Sequence, residues 1–431
     1  MKDARRNKFF ERRAQRICSV HENMKKKVAM FPGQGSVYVG MCKELLREHD
    51  LVRQIFREAS DAIGMDMEKL CLEGDLKELT KTEHSQPAIL TASVASFRVL
   101  EEEFGFRPHF YAGHSLGEFS ALVCAGYLPF AEGVRLVKTR GELMRDAALG
   151  TESLMTAVGK LPKEEILGVC REVSASGHVV CVSNYNSHKQ NVISGSKVGV
   201  SEAEKRLASL GASVKRLNVS APFHSPLMQP ALERFKVVLE GYSFTDSGKA
   251  VLSNVTARPH VFAEIRERLA QQLVSPVRWQ ETVEYLKAQQ IRLAVDVGPG
   301  KVLRNLMFDN FPAVHALSYD VPDNARELEK LLGNEKYSPF ISRCMGQAVA
   351  TRNLCYDPQS YETEIMEPYR RLQAMELTVE AEERTATAEE MKTATELLLK
   401  IFRGKQIPTE EQQARLQTLY LDTGTEGMFS R

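Results

Sequence analysis

Residues 113–117 read Gly113-His-Ser-Leu-Gly117, and this stretch decides the fold more than any other part of the chain. It fits the pattern G-x-S-x-G, in which a serine lies on a sharp turn between a strand and a helix. The apolar residues 109–113 predict the strand, and residues 115–125 predict the helix. We therefore predict an α/β fold with an exposed nucleophile, Ser115, next to a helix N-terminus that favours developing negative charge.

The segments around this turn alternate between short apolar strands and amphipathic helices. Strands are predicted at residues 28–31, 250–253 and 293–297, and helices at 41–63, 86–100, 131–147 and from 302 to 307. Pro87 is expected in the first turn of its helix, where proline is tolerated. This alternation indicates a mainly parallel sheet covered on both faces, which we assign to residues 28–149 and 220–333.

Residues 150–219 have a different rhythm. Strands at 154–158, 178–183, 191–194 and 213–219 are combined with helices at 163–174 and 200–210, and Gly211 closes the second helix. The order β-α-β-β-α-β is typical of a ferredoxin-like unit. We therefore predict a small inserted subdomain.

The two ends of the chain differ from this body. Residues 338–431 show almost no strand pattern and predict a helical C-terminal appendage, with helices at 360–383, 388–403 and 410–421. Its apolar stripe at Tyr361, Ile365, Tyr369 and Leu372 is expected to pack on the catalytic body. Residues 1–27 are rich in Lys and Arg and have no apolar core of a secretory signal. Three interpretations stay open: a disordered leader, a true start at Met24, or a basic docking arm.

Composition excludes several classes of function. The formal net charge of +1 gives no reason to expect nucleic acid or an anionic membrane as the main partner, although a local basic patch for an acidic partner stays open. The eight cysteines are scattered without a C-x-x-C pair, so we expect reduced thiols in a cytoplasmic protein and no metal site. No run of 18 or more apolar residues occurs, and we expect no membrane span.

A serine hydroxyl needs a base to become nucleophilic, and the chain offers ten histidines. His114 adjoins Ser115, but neighbouring residues on such a turn usually point apart. His224 lies in Ala221-Pro-Phe-His-Ser-Pro226, a loop bracketed by prolines directly after the last strand of the small subdomain. Taken alone, a histidine in such a loop is more often a surface residue than a base.

Four separated segments resemble the malonyl-CoA:acyl-carrier-protein acyltransferase family. They are Phe31-Pro-Gly-Gln-Gly-Ser36, Gly113-His-Ser-Leu-Gly-Glu118, Ala221-Pro-Phe-His-Ser225 and Val297-Gly-Pro-Gly300. Val137-Lys-Thr-Arg-Gly141 and Ser183-Asn-Tyr-Asn186 match as well, and the order and spacing fit over roughly residues 27–330. The resemblance implies an α/β-hydrolase-like body with a ferredoxin-like insert, which agrees with the order of elements above.

The resemblance also assigns roles to residues of this chain. The nucleophile is Ser115 and the base is His224, in a dyad whose imidazole is oriented by a backbone carbonyl of the segment Ser275-Pro-Val-Arg-Trp279, near Arg278. The backbone N–H groups of Gln34 and Leu116 form the oxyanion hole, which explains the glycines that surround Gln34.

Substrate choice follows from further residues that match the family. Arg140 corresponds to the arginine that binds the free carboxylate of malonyl, because its planar fork pairs with a carboxylate through two hydrogen bonds. Gln86, Phe223 and His114 are expected in the same pocket. Phe223, beside the base, resembles the signature of malonyl-type members.

The resemblance implies ping-pong transfer of malonyl from malonyl-CoA to the phosphopantetheine thiol of an acyl carrier protein, through an acyl-Ser115 intermediate. The coenzyme A thioester is a substrate, and no bound cofactor or metal is expected. The resemblance implies a role in polyketide or fatty-acid synthesis, and the tail and the free-standing chain raise the narrower hypothesis of service to a modular polyketide synthase in trans.

Two other classes of function share some of these features. An acyl-carrier thioesterase or editing serine hydrolase would use Ser115 and His224, but it has no use for Arg140 if its acyl chains are uncharged. A non-catalytic scaffold could bind a synthase through the helical tail, but it would not need any of these three residues.

Overall fold

The computed structural model describes residues 26–219, 221–336, 340–382, 386–423 and 425. The predicted leader, with Met24, lies outside the described residues except for positions 26 and 27. The described chain forms two compact units. The first comprises Lys26–Glu103 and Arg107–Leu328, and the second comprises Phe104–Phe106 and the described residues from Glu329 onward.

The strands of the described residues all lie in the first unit. They are β1 Lys27–Phe31, β2 Phe110–Gly113, β3 Ser153–Gly159, β4 Val180–Ser187, β5 Gln190–Ser196, β6 Ser213–Arg216, β7 Ala250–Leu252, β8 Leu293–Asp296 and β9 His315–Ser318. The α-helices from residue 43 to residue 336 are Lys43–Glu48, Asp50–Ile63, Met67–Glu73, Leu76–Leu79, Thr82–Glu102, Gly117–Cys124, Phe130–Ala148, Lys163–Ala175, Lys197–Ser209, Gln229–Glu240, Ile265–Gln271, Trp279–Ala288, Val302–Asn310 and Pro322–Lys336.

A parallel five-stranded sheet, in the order β7-β2-β1-β8-β9, forms the centre of the first unit. Its middle strand β1 is buried along its whole length, because it has a neighbour on each side and helices on both faces. Alternate residues of the strands point to one face and join a core with the helices Trp279–Ala288 and Val302–Asn310. This core includes Val28, Met30, Phe110, Ala112, Leu252, Ala294, Trp279, Val283, Leu303 and Leu306. The predicted α/β body with a parallel sheet is confirmed.

Strands β3 to β6 form a second, antiparallel sheet in the order β4-β5-β3-β6. With the helices Lys163–Ala175 and Lys197–Ser209 they follow the predicted β-α-β-β-α-β order. Two main-chain hydrogen bonds tie this sheet to the body: Tyr185 N–H donates to Val277 at 2.9 Å, and Val277 N–H donates to Ser183 at 2.9 Å. The small sheet is therefore anchored beside the start of the helix Trp279–Ala288.

Several boundaries differ from the sequence prediction. The expected helix over 41–63 is two helices separated by His49, whose backbone is extended. The helix expected from residue 86 begins at Thr82, so Pro87 lies inside it and not in its first turn. That shift costs the helix one hydrogen bond, because proline has no N–H to donate. Strand β9 was not predicted, since only its last two residues are buried and it has no continuous apolar run.

The second unit is helical, as the predicted appendage required. Its α-helices are Phe340–Ala350, Pro358–Ser360, Glu367–Ala381, Ala388–Gly404 and Thr409–Thr423, with a π-helical segment at Tyr361–Met366. The predicted stripe at Tyr361, Ile365, Tyr369 and Leu372 contributes to a core built from the unit's own helices, with Phe340, Leu398, Ile401, Phe402 and Leu419. The sequence analysis expected this stripe to pack on the catalytic body and did not predict a separate core within the helical unit. No described helix is both long and apolar enough to cross a bilayer.

Candidate active site

The turn that follows β2 is so tightly packed that two of its positions require glycine. A Cβ on Gly117 would lie 1.8 Å from the main-chain oxygen of Phe31, and one on Gly113 would lie 1.9 Å from the carbonyl carbon of Gly117. Any side chain at either position would therefore collide with the backbone. Ser115 between them has φ +53°, a left-handed conformation that costs energy for a residue with a side chain. The turn thus stores strain at the residue predicted to be the nucleophile.

Asn254, which follows β7, holds this strained turn from the side. Its Oδ1 accepts the Ser115 N–H at 2.6 Å, and its Nδ2 donates to the Gly113 carbonyl at 2.6 Å. One amide side chain therefore satisfies main-chain groups on both sides of the turn. The sequence analysis gave Asn254 no role, although its position at the carboxyl end of a strand next to β2 was an available signal.

The structure brings His224 to Ser115 and orients it through Gln272. His224 Nε2 lies 2.7 Å from Ser115 Oγ, and Nδ1 lies 2.8 Å from the Gln272 main-chain oxygen. A carbonyl oxygen only accepts, so Nδ1 carries the proton and Nε2 is free to accept from the hydroxyl. The predicted orienter Arg278 is wrong. Its carbonyl accepts the N–H and the hydroxyl of Thr282, each at 3.0 Å, because it lies at the start of a helix.

The electrostatic surroundings keep this imidazole neutral. His224 is 3% exposed, and burial together with the positive charge of Arg140 lowers its pKa to about 3. At neutral pH the base is therefore unprotonated and ready to take a proton. Burial also lowers the pKa of His114. Its Nε2 lies 2.9 Å from Asn186 Oδ1 on β4, so His114 contacts the small sheet.

Arg140 is fully buried on the helix Phe130–Ala148 and reaches the nucleophile. Its Nη1 donates to Gln86 Oε1 at 2.7 Å, and its Nη2 donates to Gln272 Oε1 at 2.8 Å and to Ser115 Oγ at 3.3 Å. Burial lowers the pKa of Arg140 to about 10, with the negative charge of Glu118 opposing the shift, so the guanidinium is charged at neutral pH. The predicted residues Arg140, Gln86 and Ser115 thus lie together.

The loop after β1 lies against the same turn. A Cβ on Gly33 would be 2.8 Å from the His114 main-chain oxygen, and Gln34 Nε2 donates to Thr82 Oγ1 at 2.8 Å and to Ser85 Oγ at 3.1 Å. Within the described residues, the main-chain N–H groups of Gln34 and Leu116 donate to no protein group. Two such donors beside a nucleophile can bind a developing oxyanion.

Phe223 is 7% exposed and directly precedes the base in the chain.

No cluster of three or more His, Cys, Asp or Glu suited to a metal ion occurs among the described residues.

The fold and its strand-to-helix turn define the chain as an α/β-hydrolase-like protein of the kind that handles acyl groups. Residues 28–321 match the family described as the acyl transferase domain, and the chain belongs to this family. The chain is 40% identical over 394 residues to a malonyl CoA-acyl carrier protein transacylase of Bacillus subtilis, covering 89% of this chain and 97% of the relative. It is 44% identical over 286 residues to the protein of that name in Haemophilus influenzae, covering 66% and 91%.

Solved structures agree with this assignment. The malonyl CoA-acyl carrier protein transacylase of Coxiella burnetii matches with a TM-score of 0.69 and 38% identity, over 72% of this chain and 99% of that one. A malonyl-transacylase solved in complex with a type II polyketide-synthase acyl-carrier protein matches with a TM-score of 0.69 and 40% identity, over 71% and 100%.

Proposed function

We propose that this chain transfers a malonyl group from malonyl-CoA to the phosphopantetheine thiol of an acyl carrier protein. The observation that carries the proposal is the fully buried guanidinium of Arg140, 3.3 Å from Ser115 Oγ. A desolvated positive charge beside a nucleophile favours an acyl group with a free carboxylate, since the carboxylate replaces the lost solvation. The names of the relatives support the same substrate and acceptor.

The first half-reaction loads the enzyme. His224 Nε2 accepts the proton of Ser115 Oγ, and the oxygen attacks the thioester carbonyl of malonyl-CoA. The tetrahedral oxyanion accepts hydrogen bonds from the N–H groups of Gln34 and Leu116 while Arg140 binds the malonyl carboxylate. The C–S bond then breaks, and the imidazolium returns its proton to the leaving sulfur of coenzyme A.

The second half-reaction reverses these roles with a new thiol. His224 takes the proton of the phosphopantetheine thiol, and the sulfur attacks the malonyl ester on Ser115. The C–O bond breaks, and Ser115 Oγ recovers its proton from the imidazolium. Atoms and charges balance with the thioester as substrate and these residues alone, so no bound cofactor takes part. The cellular context is polyketide or fatty-acid synthesis.

An editing hydrolase would share the dyad but not the need for Arg140. Water would then attack the acyl-serine, and uncharged acyl chains would meet an unpaired buried cation, which is costly. The observed site therefore favours transfer of carboxylate-bearing groups.

The test is intact-mass spectrometry of the purified protein after incubation with malonyl-CoA or acetyl-CoA. We expect a malonyl adduct that holo acyl carrier protein discharges and that Ser115→Ala abolishes. Ser120→Ala is the matched control, since Ser120 is a buried serine on the adjoining helix Gly117–Cys124 and should leave the adduct intact. Absence of a malonyl adduct, with hydrolysis of uncharged thioesters, would refute the proposal in favour of the hydrolase.

A further inference from the structure

One fully buried neutral side chain, that of Gln272, contacts three parts of the site. Its Oε1 accepts from Arg140 Nη2 at 2.8 Å, and its Nε2 donates to the Ser115 carbonyl at 3.0 Å and to Glu118 Oε2 at 2.6 Å. Its main-chain oxygen contacts the base, as described above. The side chain therefore joins the arginine to the main chain of the nucleophile, independently of the main-chain contact to His224.

The orientation of this amide is determined by what surrounds it. The Ser115 carbonyl and the Glu118 carboxylate only accept hydrogen bonds, so the NH₂ end of Gln272 must face them. The oxygen end is then forced toward Arg140. With Gln86 Oε1 at Nη1, one glutamine oxygen lies at each terminal nitrogen of the guanidinium, which fixes the plane of its fork.

Glu118 supplies the negatively charged one of the two acceptors that hold the Gln272 NH₂ group. It is fully buried in the first turn of the helix after the nucleophile, and it accepts the Asn254 N–H at 3.1 Å. His260 Nε2 lies 2.7 Å from its other oxygen. No Asp or Glu of the described residues makes a direct ion pair with Arg140. The negative charge of Glu118 thus reaches the guanidinium across the Gln272 amide.

We propose that Gln272 and Glu118 are positioning residues for acyl selection. Glu118 and the Ser115 carbonyl together fix the direction of the Gln272 amide, and Gln272 holds the Arg140 fork beside Ser115 in the orientation that receives a carboxylate. This inference rests on the proposed malonyl transfer. The inference extends that proposal by assigning the preference for carboxylate-bearing acyl groups to Glu118, Gln272 and Arg140 together instead of to Arg140 alone.

The decisive variant is Glu118→Gln, which keeps shape but can donate as well as accept. The Gln272 NH₂ group then loses its negatively charged acceptor and is held by the Ser115 carbonyl alone, so the amide and the Arg140 fork it contacts are less firmly held. We expect the KM for malonyl-CoA to rise at least about tenfold, equal to about 1.4 kcal/mol. The ratio of kcat/KM for malonyl-CoA to that for acetyl-CoA should fall by a similar factor, with a smaller change in kcat.

Glu204→Gln is the matched control, because Glu204 is likewise a glutamate whose carboxylate accepts hydrogen bonds from other side chains, Thr156 and Arg216, but lies in the small subdomain. Its KM and acyl preference should equal those of the wild type. Gln272→Met is the second variant: it retains the main-chain oxygen that orients His224 and removes only the amide. The same loss of malonyl preference is expected.

Both KM and the ratio of kcat/KM values are independent of the folded fraction, so partial misfolding does not hide the result. An unchanged malonyl-to-acetyl ratio in Glu118→Gln and Gln272→Met overturns the inference, and so does an equal loss with both thioesters. Failure of the wild-type protein to transfer malonyl overturns the proposed function itself, which separates the two failures.

Discussion

Replacing Arg140 with alanine tests whether the buried guanidinium selects the acyl group. The side chain is fully buried, and its Nη2 lies 3.3 Å from Ser115 Oγ. A malonyl carboxylate in this position accepts two hydrogen bonds from the fork. Hydrogen bonds to charged groups contribute about 1.5–3 kcal/mol each, so Arg140→Ala removes about 3–6 kcal/mol of transition-state stabilisation. We expect kcat/KM for malonyl-CoA to fall by about 10² to 10⁴.

The assay is coenzyme A release in the presence of holo acyl carrier protein, measured with malonyl-CoA and acetyl-CoA. Acetyl carries no carboxylate, so its kcat/KM should change by less than about threefold. Arg140→Lys keeps the charge but not the planar fork and should recover only part of the loss. Arg145→Ala is the control on the same helix, since Arg145 pairs with Glu83 at the surface. An equal loss with both thioesters, or none with malonyl-CoA, would refute the reasoning.

Three further outcomes follow from the structure. The pKa of His224 is lowered to about 3, so the imidazole loses its neutral form only as the pH falls toward that value. The rate of acylation by malonyl-CoA, measured by rapid quench, should therefore stay constant from about pH 8 to about pH 5. A half-loss near pH 6.5, the ordinary histidine value, would contradict this. Gly117→Ala places a Cβ 1.8 Å from the Phe31 oxygen and should lower the free energy of unfolding by at least about 3 kcal/mol in a denaturant titration. In the control Gly35→Ala, the new Cβ has no atom within 4 Å, so the free energy of unfolding should stay unchanged. Equal denaturation midpoints for the two variants would refute the steric account. Thr387→Ala removes the capping box of the helix Ala388–Gly404 and should cost about 1 kcal/mol in the unfolding of the C-terminal unit by circular dichroism, and an unchanged transition would count against it.

The sequence carried enough local information to predict the two sheets. After Lys27, strand β1 is an unbroken apolar run, as a central parallel strand requires, and the order of elements in residues 150–219 matches the observed small sheet. The predicted ends of the helices and strands were less accurate. Pro87 was expected in a first turn but lies within its helix, because the helix begins earlier than predicted, at Thr82. The unpredicted β9 has only two buried residues and depends on pairing with β8.

Some residues of the candidate site could be predicted from the sequence, and others could not. Ser115 lies in a short motif whose glycines report local geometry, and His224 was assigned through the family resemblance of its segment, so both could be predicted without coordinates. Gln272 could not, because an amide side chain in a polar sequence carries no pattern, and the only signal for Asn254 was its place directly after a predicted strand. They act only after folding has brought them to residues far away in the chain, such as Ser115, which is 157 residues before Gln272.

The amino-acid sequence by itself predicted the nucleophile and the class of fold from local patterns, and its resemblance to a known family supplied the base and the arginine. Only the tertiary structure decided which carbonyl orients His224. The sequence placed it near Arg278, but that carbonyl is used by the helix it precedes, and the Gln272 oxygen takes the role at 2.8 Å. Hydrogen-bond partners across the carboxyl edge of a parallel sheet are chosen by distance in space, which spacing along the chain does not encode.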